Sequence, residues 1–420
     1  RAAFEAQQEQ PEQQEQEQRL SGLPGLHILC PSASGAAQYC GAVTASSPRE
    51  KRMVGWAPGR AGFPAGQITT APRSRCVPSA GQIGIASMYA QICSWNNLLL
   101  AFQKASRGKR SRPAAAAFEH RLEENLLDLQ ADLLNFTYRP GPYDSFYIHE
   151  PKQRLISAAP FRDRVVHHAL CNLIEPVFER SFIFDSYANR IGKGTHRALN
   201  RAQQYARRYP YVLQCDIRQY FPSIDHAILE NLLAQKLKDP AVLWLCRQIM
   251  QSGVGVLSDV YNQVYYPGDN LLSALRPRGL PIGNLTSQFW ANVYLNKFDH
   301  FIKQNLHCPA YIRYVDDFLL FAHTQPILWK YKSALQQQLD RLRLCLHAGA
   351  CPYPVTEGIP FLGFRIHPVW RRLKRRKGIY FCRQYRLKQH QYQHGLITLS
   401  TLTASTRGWI NHVRYANTIG

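Results

Sequence analysis

The strongest constraint on the fold of this chain is a pair of adjacent acids inside an apolar stretch. Asp316 and Asp317 interrupt residues 310–322, which read AYIRYVDDFLLFA and are otherwise mostly aromatic or aliphatic. Two such runs around a short polar step predict a β-hairpin with the carboxylates at its tip. Adjacent carboxylates in apolar surroundings repel each other, so a divalent cation is their natural counter-charge. The alternative is an ordinary Asp-Asp turn between two strands.

A second apolar run delivers a third carboxylate. Residues 211–216 read YVLQCD, have strand length and end in Asp216, and a turn through Pro222 then leads into a predicted helix. Oxygen ligands at two strand ends suit Mg²⁺, which takes one or two protein carboxylates together with water and phosphate oxygens. Two such ions about 4 Å apart activate an attacking 3′-hydroxyl and stabilise a leaving pyrophosphate. The acids therefore indicate chemistry on nucleotides, which needs positioning and charge but no covalent catalyst.

With further motifs, these acids resemble the pattern of the reverse transcriptases. The motifs that carry the resemblance are residues 162–169 (RDRVVHHA, fingers), Asp216 with Phe221 (first palm motif), residues 279–288 (GLPIGNLTSQ, beneath the templating base), residues 314–317 (YVDD) and residues 361–364 (FLGF, primer-gripping hairpin). The resemblance implies an α+β fold, a right-hand polymerase with fingers, a palm of antiparallel sheet plus helices, and a short helical thumb. It also implies an RNA-directed DNA polymerase.

The resemblance assigns roles residue by residue. Asp216 and Asp316 would bind two Mg²⁺ ions, or Mn²⁺, with the Ile217 carbonyl as a further ligand and Asp317 in support. Nucleotide binding falls to Lys152, Arg154, Phe221, Ile282 and Gln288, and the primer grip to Phe361, Leu362 and Gly363. A flat ring at Phe221 would exclude a 2′-hydroxyl, although core packing would also explain it. Lys152 and Arg154 would grip the triphosphate, or they are simply solvated.

Two other sets of residues are weaker candidates. Arg162 and Arg164 either contact nucleic acid or pair structurally with Asp163 or Glu175. Many polymerases place a lysine or histidine after the catalytic hairpin to protonate pyrophosphate. The segment before Phe361 has no lysine after residue 347, so His347 is the obvious donor there. Either His347 serves, or the enzyme lacks that acid, or this stretch of the chain is altered.

The segment 279–288 also predicts a subfamily. Most reverse transcriptases carry glutamine where this chain has Ile282, and Ser-Pro where it has Ser287-Gln288. An aliphatic residue followed by Ser-Gln resembles the enzymes of diversity-generating retroelements, which copy a template RNA with frequent errors opposite adenine. Ile282 offers no hydrogen bond with which to penalise a misaligned pair. Ordinary packing in an enzyme of normal fidelity remains the alternative for Ile282.

Three functions therefore stay open. The first is the error-prone retroelement enzyme, and the second is a group II intron-like or retron reverse transcriptase of ordinary fidelity. The third is an RNA-binding protein with a polymerase-like fold and no activity, which the three intact acids argue against. The resemblance also implies partners, namely template RNA, the cDNA/RNA hybrid, dNTPs and a small basic helical-bundle accessory protein that forms a pentameric ring.

Charge agrees with a nucleic-acid partner. The chain carries 51 Lys and Arg against 28 Asp and Glu, a net charge of +23. That excess predicts a polyanion held through its phosphates. Two dense basic runs are candidate binding patches or solvated tails. They comprise Lys104, Arg107, Lys109 and Arg110 in the first, and Arg371, Arg372, Lys374, Arg375, Arg376 and Lys377 in the second.

The remaining features concern location and domain boundaries. Eleven cysteines without a CxxC pair suit reduced thiols in a bacterial cytoplasm, and no apolar run has membrane-spanning length,. Residues 1–87 are rich in Gln, Glu, Gly, Ser and Pro, and we expect them to be disordered or non-native,. The predicted domains are N-terminal helices and fingers (88–210), a palm (211–370) with an irregular insertion (236–278), and a thumb (371–420), which the family pattern predicts to be truncated.

Overall fold

In the computed structural model, which describes residues 87–149 and 153–417, helices precede the first strand. They are α1 (Met88–Cys93), α2 (Trp95–Ser106), α3 (Pro113–His120) and α4 (Leu122–Leu134). Ser87 and Ser94 begin α1 and α2, because each side chain accepts a hydrogen bond from a first-turn N–H,. The predicted helical segment is confirmed, as several short helices. The expectations for residues 1–86 and for Lys152 lie outside the described residues.

The fingers elements follow in the predicted order. Strands β1 (Asp144–Ile148) and β2 (Arg154–Ala158) form an antiparallel hairpin. Helices α5 (Phe161–Glu179) and α6 (Thr195–Arg208) come next. The first residue of β2, Arg154, is exposed, whereas Ile156 and Ser157 at its centre are buried, so the hairpin is solvated at the Arg154 end.

The palm of the described chain is built on an antiparallel sheet of four strands in the order β4-β5-β3-β6. Its strands are β3 (Tyr211–Asp216), β4 (Tyr311–Tyr314), β5 (Asp317–Ala322) and β6 (Pro352–Pro354). Alternate residues point to opposite faces of a strand. One face, with Leu213 and Phe318, joins the large core formed with the helices. The other face, with Val212 and Leu319, packs in a second core with α6.

Helices cover the first face of this sheet, and short strands extend the second core. The helices are α7 (Tyr220–Ser223), α8 (His226–Ala234), α9 (Pro240–Ser252), α10 (Leu285–His300, continued by a π-helical turn) and α11 (Gln325–Arg341). The strands β7 (Ile359–Phe361), β8 (Phe364–Ile366) and β9 (Arg371–Leu373) form a separate antiparallel sheet.

The expectation of irregular chain across residues 236–278 is wrong for its first part, because 240–252 form α9. Asp239 caps this helix by accepting a hydrogen bond from the Ala241 N–H (3.0 Å), and Pro240 occupies its first turn,. The helix buries Leu245 and Ile249 against the large core. From Gly253 onward the chain is irregular as predicted, with two 3₁₀ turns.

The predicted thumb contains helices, but it begins with a strand. Residues 371–373 form β9 and pair with β8, and only then do α12 (Arg375–Gln393) and α13 (Leu399–Val413) follow. The first part of the second basic run therefore belongs to the small sheet. Within the described part of the chain, no helix combines the length and apolarity needed to cross a membrane, and its cysteines are free thiols.

Candidate active site

The β4–β5 hairpin brings its acids to the acid of β3. Asp317, the first residue of β5, pairs in register with Asp216, the last residue of β3. Asp316 lies in the turn after Val315, whose φ of 59° places a β-branched residue in the left-handed region,. The Ile217 N–H donates a hydrogen bond to the Asp316 carbonyl (3.3 Å). The structure thus brings the three predicted catalytic acids together at one end of the palm sheet.

Both hairpin acids bind protons more tightly than an ordinary aspartate. Burial is the main cause that raises the pKa of Asp317 to about 7, and the charges of Asp216 and Asp316 raise this pKa further. A hydrogen bond from Gln214 acts in the opposite direction and lowers it. Burial, and then the charge of Asp216, raise the pKa of Asp316 to about 6. Both shifts show that ionised carboxylates are unfavourable in this setting, and a bound cation would reverse them.

The donor set fits a hard cation. Asp216, Asp316 and Asp317 offer only oxygen atoms, and their repulsion gives Mg²⁺ a favourable place to bind,. Among the residues that the structure describes, no group of three or more His, Cys, Asp or Glu side chains forms a ready metal cluster. The oxygen donors of the three acids fit a site in which one or two protein carboxylates would share a metal with water and phosphate oxygens. A metal bound there would activate the attacking hydroxyl and neutralise the leaving group.

A buried ion pair lies beneath the catalytic turn, and no motif had singled it out. Arg313 and Asp299 are both 0% exposed, with a nitrogen-to-oxygen distance of 2.6 Å. The Nη1 atom of Arg313 also donates to the Asn292 side chain and to the Val315 carbonyl, at 3.0 Å each. The sequence signal was an arginine in the middle of an apolar strand. Arg313 tethers the left-handed residue next to Asp316 to the helical core.

The residues predicted beside the incoming nucleotide lie where the two palm motifs and the fingers meet. The Leu280 N–H donates to the Phe221 carbonyl (3.0 Å), and the Ser157 N–H of β2 donates to the Ile282 carbonyl (2.8 Å). Phe221, Ile282 and Gln288 are all half-buried. Their side chains therefore keep part of their surface open, as contact with a nucleotide requires.

The fingers arginines divide into two groups. Arg154 is exposed at the start of β2, and its charge lowers the pKa of Asp316, which places it on the active-site side. Arg162 forms ion pairs with Asp132 and with its neighbour Asp163, and the Arg164 Nε donates to a backbone carbonyl (2.7 Å). The structural alternative is therefore confirmed for Arg162, and Arg164 is held within its own segment.

The FLGF motif forms a tight hairpin between β7 and β8. Leu362 (φ 46°) and Gly363 (φ 87°) make its two-residue turn, with both residues in the left-handed region that such hairpins require,. The Lys374 N–H donates to the Gly363 carbonyl (2.9 Å). Phe361 is fully buried in the second core. The turn residues Leu362 and Gly363, unlike the phenylalanine side chain, keep part of their surface accessible.

Gln214 links this hairpin to the acids and was not predicted. Its side-chain nitrogen donates to the Pro360 carbonyl (3.1 Å) and to the Asp317 carboxylate (3.3 Å). The Tyr353 hydroxyl donates to its oxygen (3.3 Å), which fixes the orientation of the amide.

His347 lies on the opposite side of β3, with an exposed side chain and an N–H that donates to the Asp216 carbonyl (2.9 Å).

The two basic runs lie on different elements, the first at the end of α2 and the second on β9 and the start of α12. Lys104, Arg107, Lys109 and Arg110 lie at the end of α2 and in the turn that follows. Burial, with the charges of Arg164 and Arg112, lowers the pKa of Lys109 to about 8, so cations crowd one another there. In the second run Arg371 donates to the Asn200 side chain (2.8 Å). The run's other basic residues, Arg372, Lys374, Arg375, Arg376 and Lys377, are exposed.

The palm is a four-stranded antiparallel sheet with acids on paired strands, it is packed by helices, and a separate fingers hairpin precedes it. These features define a right-hand nucleic-acid polymerase. The model of the reverse transcriptase (RNA-dependent DNA polymerase) family matches residues 148–366, more than half of the chain. The chain therefore belongs to the reverse transcriptase family, and by class it is an RNA-directed DNA polymerase.

Individual relatives are more distant. Protein YkfC of Escherichia coli K12 is 25% identical over 292 residues, which cover 59% of this chain and 72% of that protein. The group II intron-encoded protein LtrA of Lactococcus lactis is 26% identical over 43% of this chain, and the match spans only 29% of LtrA. A solved telomerase of Candida tropicalis shares 12% identity over 59% of each chain, with a TM-score of 0.40.

Proposed function

We propose that this reverse transcriptase makes error-prone cDNA from a retroelement template RNA, with errors concentrated opposite adenine, for targeted sequence diversification. The observation that carries the proposal is an isoleucine at position 282 followed by Ser287-Gln288. The Ile282 carbonyl is already engaged by the Ser157 N–H (2.8 Å), and its side chain has no polar atom. A nascent pair would therefore meet only apolar shape at this position, which does not discriminate by hydrogen bonding.

Catalysis is proposed to use two Mg²⁺ ions held by Asp216 and Asp316. The raised pKa of Asp316, caused by burial and by Asp216, supports a site that needs a cation. Arg154 is proposed to grip the triphosphate, since its charge already reaches Asp316. The proposed proton donor to pyrophosphate is His347. Its side chain is exposed, and its backbone N–H donates to the carbonyl of Asp216.

The proposed partners are a template RNA, the cDNA/RNA hybrid and dNTPs in a bacterial or phage-infected cytoplasm. The net charge of +23 and the exposed basic residues at the start of α12 support binding through phosphates,. A small basic accessory protein that forms a pentameric ring rests on the resemblance to diversity-generating enzymes alone.

A second candidate is a group II intron-like reverse transcriptase of ordinary fidelity. It is favoured by relatives described as group II intron-encoded protein LtrA and as nuclear intron maturase 2 of Arabidopsis thaliana. These matches cover 29% and 20% of those proteins, so they support similarity in the shared polymerase region and give no information on the other domains of those proteins.

The two candidates differ in their error spectra. We expect wild-type cDNA from a defined RNA to carry errors mainly opposite adenine, and Ile282→Gln to lower that error frequency about fivefold, as one added polar contact is worth roughly 1 kcal/mol. The measurement is deep sequencing of cDNA made with equal dNTP concentrations. Ile282→Leu, which keeps an apolar side chain, is the matched control and should leave the spectrum unchanged. A wild-type spectrum without adenine bias would favour the intron-like enzyme.

A further inference from the structure

A buried asparagine joins the fingers to the segment that precedes α10. Asn284 is 3% exposed. Its side-chain nitrogen donates to the carbonyls of Ser157 (2.8 Å) and Pro281 (3.2 Å), and its oxygen accepts from the Ala159 N–H (3.1 Å). Both ends of the amide are used, so only one orientation of the side chain satisfies all three partners. If this buried donor is removed, the carbonyls are left without a hydrogen-bond donor and cannot reach water instead.

The backbone on either side of Asn284 tightens the same joint. The Ser157 N–H donates to the Ile282 carbonyl (2.8 Å), so Ser157 is bound through both its donor and its acceptor. Gly283 has a φ of 113°, and a Cβ atom there would lie 3.0 Å from the Ile156 side chain. The two chain segments therefore approach more closely than side chains at residue 283 would permit, and β2 is fixed to residues 281–284.

We propose that Asn284 is a positioning residue that couples the fingers strand β2 to Ile282 and thereby sets nucleotide selection. Arg154 begins β2, and Ile282 lies in the segment 281–284 that Asn284 joins to β2. A nucleotide that contacts both residues would therefore bind to one rigid surface. The inference rests on the proposed polymerase function. Without the joint, the two contacts would move independently and bind a correct nucleotide less tightly.

The test is Asn284→Asp in the full chain, assayed by single-nucleotide incorporation on a DNA-primed RNA template. Aspartate keeps the shape and the acceptor for Ala159 but replaces the donor with an oxygen that faces the Ser157 and Pro281 carbonyls. We expect KM for the correct dNTP to rise about tenfold, and the preference for correct over incorrect dNTP to change by at least about threefold. The kcat at saturating dNTP and the Kd for the primed template should change less than about twofold.

Asn97→Asp is the matched control. Asn97 is also buried, and its side-chain nitrogen likewise donates to two carbonyls, of Ile92 (2.9 Å) in α1 and Ala169 (3.0 Å) in α5, joining α2 to both helices. That variant should lose stability without a change in KM or selectivity. If Asn284→Asp fails to fold, Asn284→Ser, which retains one donor, should give a smaller rise in KM.

Three outcomes would overturn the coupling. They are wild-type KM and selectivity in a folded Asn284→Asp or Asn284→Ser, an equal rise in KM for Asn97→Asp, and a loss confined to kcat. A wild-type chain that makes no cDNA on any primed RNA would instead refute the proposed function, because the coupling experiment presupposes activity.

Discussion

Replacing Arg313 by lysine tests whether the buried ion pair holds the catalytic turn in place. Arg313 donates to Asp299 through two nitrogens and, through Nη1, to Asn292 and to the Val315 carbonyl. Lysine keeps the positive charge beside Asp299, so the buried carboxylate is not left alone. A single ammonium on an unbranched stem does not span all of these acceptors, so the tether to the turn is lost.

The expected cost follows from the contacts that are removed. Two lost hydrogen bonds contribute about 1 kcal/mol each, and the acceptors left without a donor add to this, for a total of roughly 2–4 kcal/mol. The Val315 backbone in its left-handed conformation stores about 1–3 kcal/mol of strain, which the surrounding contacts must hold,. When the tether is removed, the turn relaxes and Asp316 moves. A displacement of about 1 Å at a reacting group can cost on the order of 100-fold in rate.

The assay is single-turnover incorporation combined with urea unfolding and primed-template binding. We expect Arg313→Lys to unfold at lower urea, to bind template normally and to incorporate a nucleotide at least about tenfold more slowly. Arg201→Lys is the matched control, since Arg201 pairs with the buried Asp185 (3.0 Å) while its own side chain is 33% exposed. It should cost under about 1 kcal/mol and leave the rate unchanged. A destabilised Arg313→Lys with the wild-type single-turnover rate would refute the role of the tether.

Further predictions concern the acids and the unexpected helix. Asp316→Asn should abolish cDNA synthesis while RNA binding in a filter assay persists, because phosphates are bound by the basic surface; extension at a tenth of the wild-type rate would contradict the assignment. The pKa of Asp317 is raised from 3.8 to about 7, so the native state binds this proton more tightly than the unfolded state does. Without metal, the free energy of unfolding therefore falls as pH rises between these two values. Melting temperatures in EDTA should therefore fall less from pH 4 to 8 in Asp317→Asn than in the wild type, and equal slopes would contradict the shift. Asp239→Ala should cost about 1–2 kcal/mol in urea unfolding, because Asp239 caps α9 and also accepts from the Tyr89 N–H (3.0 Å); an unchanged midpoint would show that the cap is dispensable,.

Local patterns explain why much of the fold was predictable. The hairpin around Asp316 and the strand before Asp216 each consist of a short apolar run, which local sequence pattern identifies as a strand. The pairing of β3 with β5 then follows when these two apolar strands associate in one sheet. The helix 240–252 was equally local. Asp239-Pro240 is a helix-start signal, so the sequence around residue 240 already indicates a helix within the stretch predicted to be irregular,.

The supporting residues could not be found in this way, because their partners are far away in sequence. Asn284 meets a carbonyl 127 residues earlier, and Gln214 contacts a carboxylate 103 residues later. Asn284 lies inside the 279–288 motif and Gln214 lies within β3, but neither local pattern indicates which distant atoms these side chains contact. Arg313 carried a weak signal, a charge inside an apolar strand, but its partner Asp299 reads as an ordinary helix residue.

Long-range polar contacts share one arrangement around the site. Arg313 ties the acid turn to α10, Gln214 ties Asp317 to the β7–β8 hairpin, and Asn284 ties β2 to the segment that holds Ile282. Apolar packing would hold these elements together equally well, but it is not directional and tolerates small shifts. Hydrogen bonds with fixed donor and acceptor atoms do not tolerate such shifts, and polymerase chemistry depends on positioning and charge alone. The polar contacts are therefore expected where substrate-facing elements join the sheet, and their loss should alter rate and selectivity more than template binding.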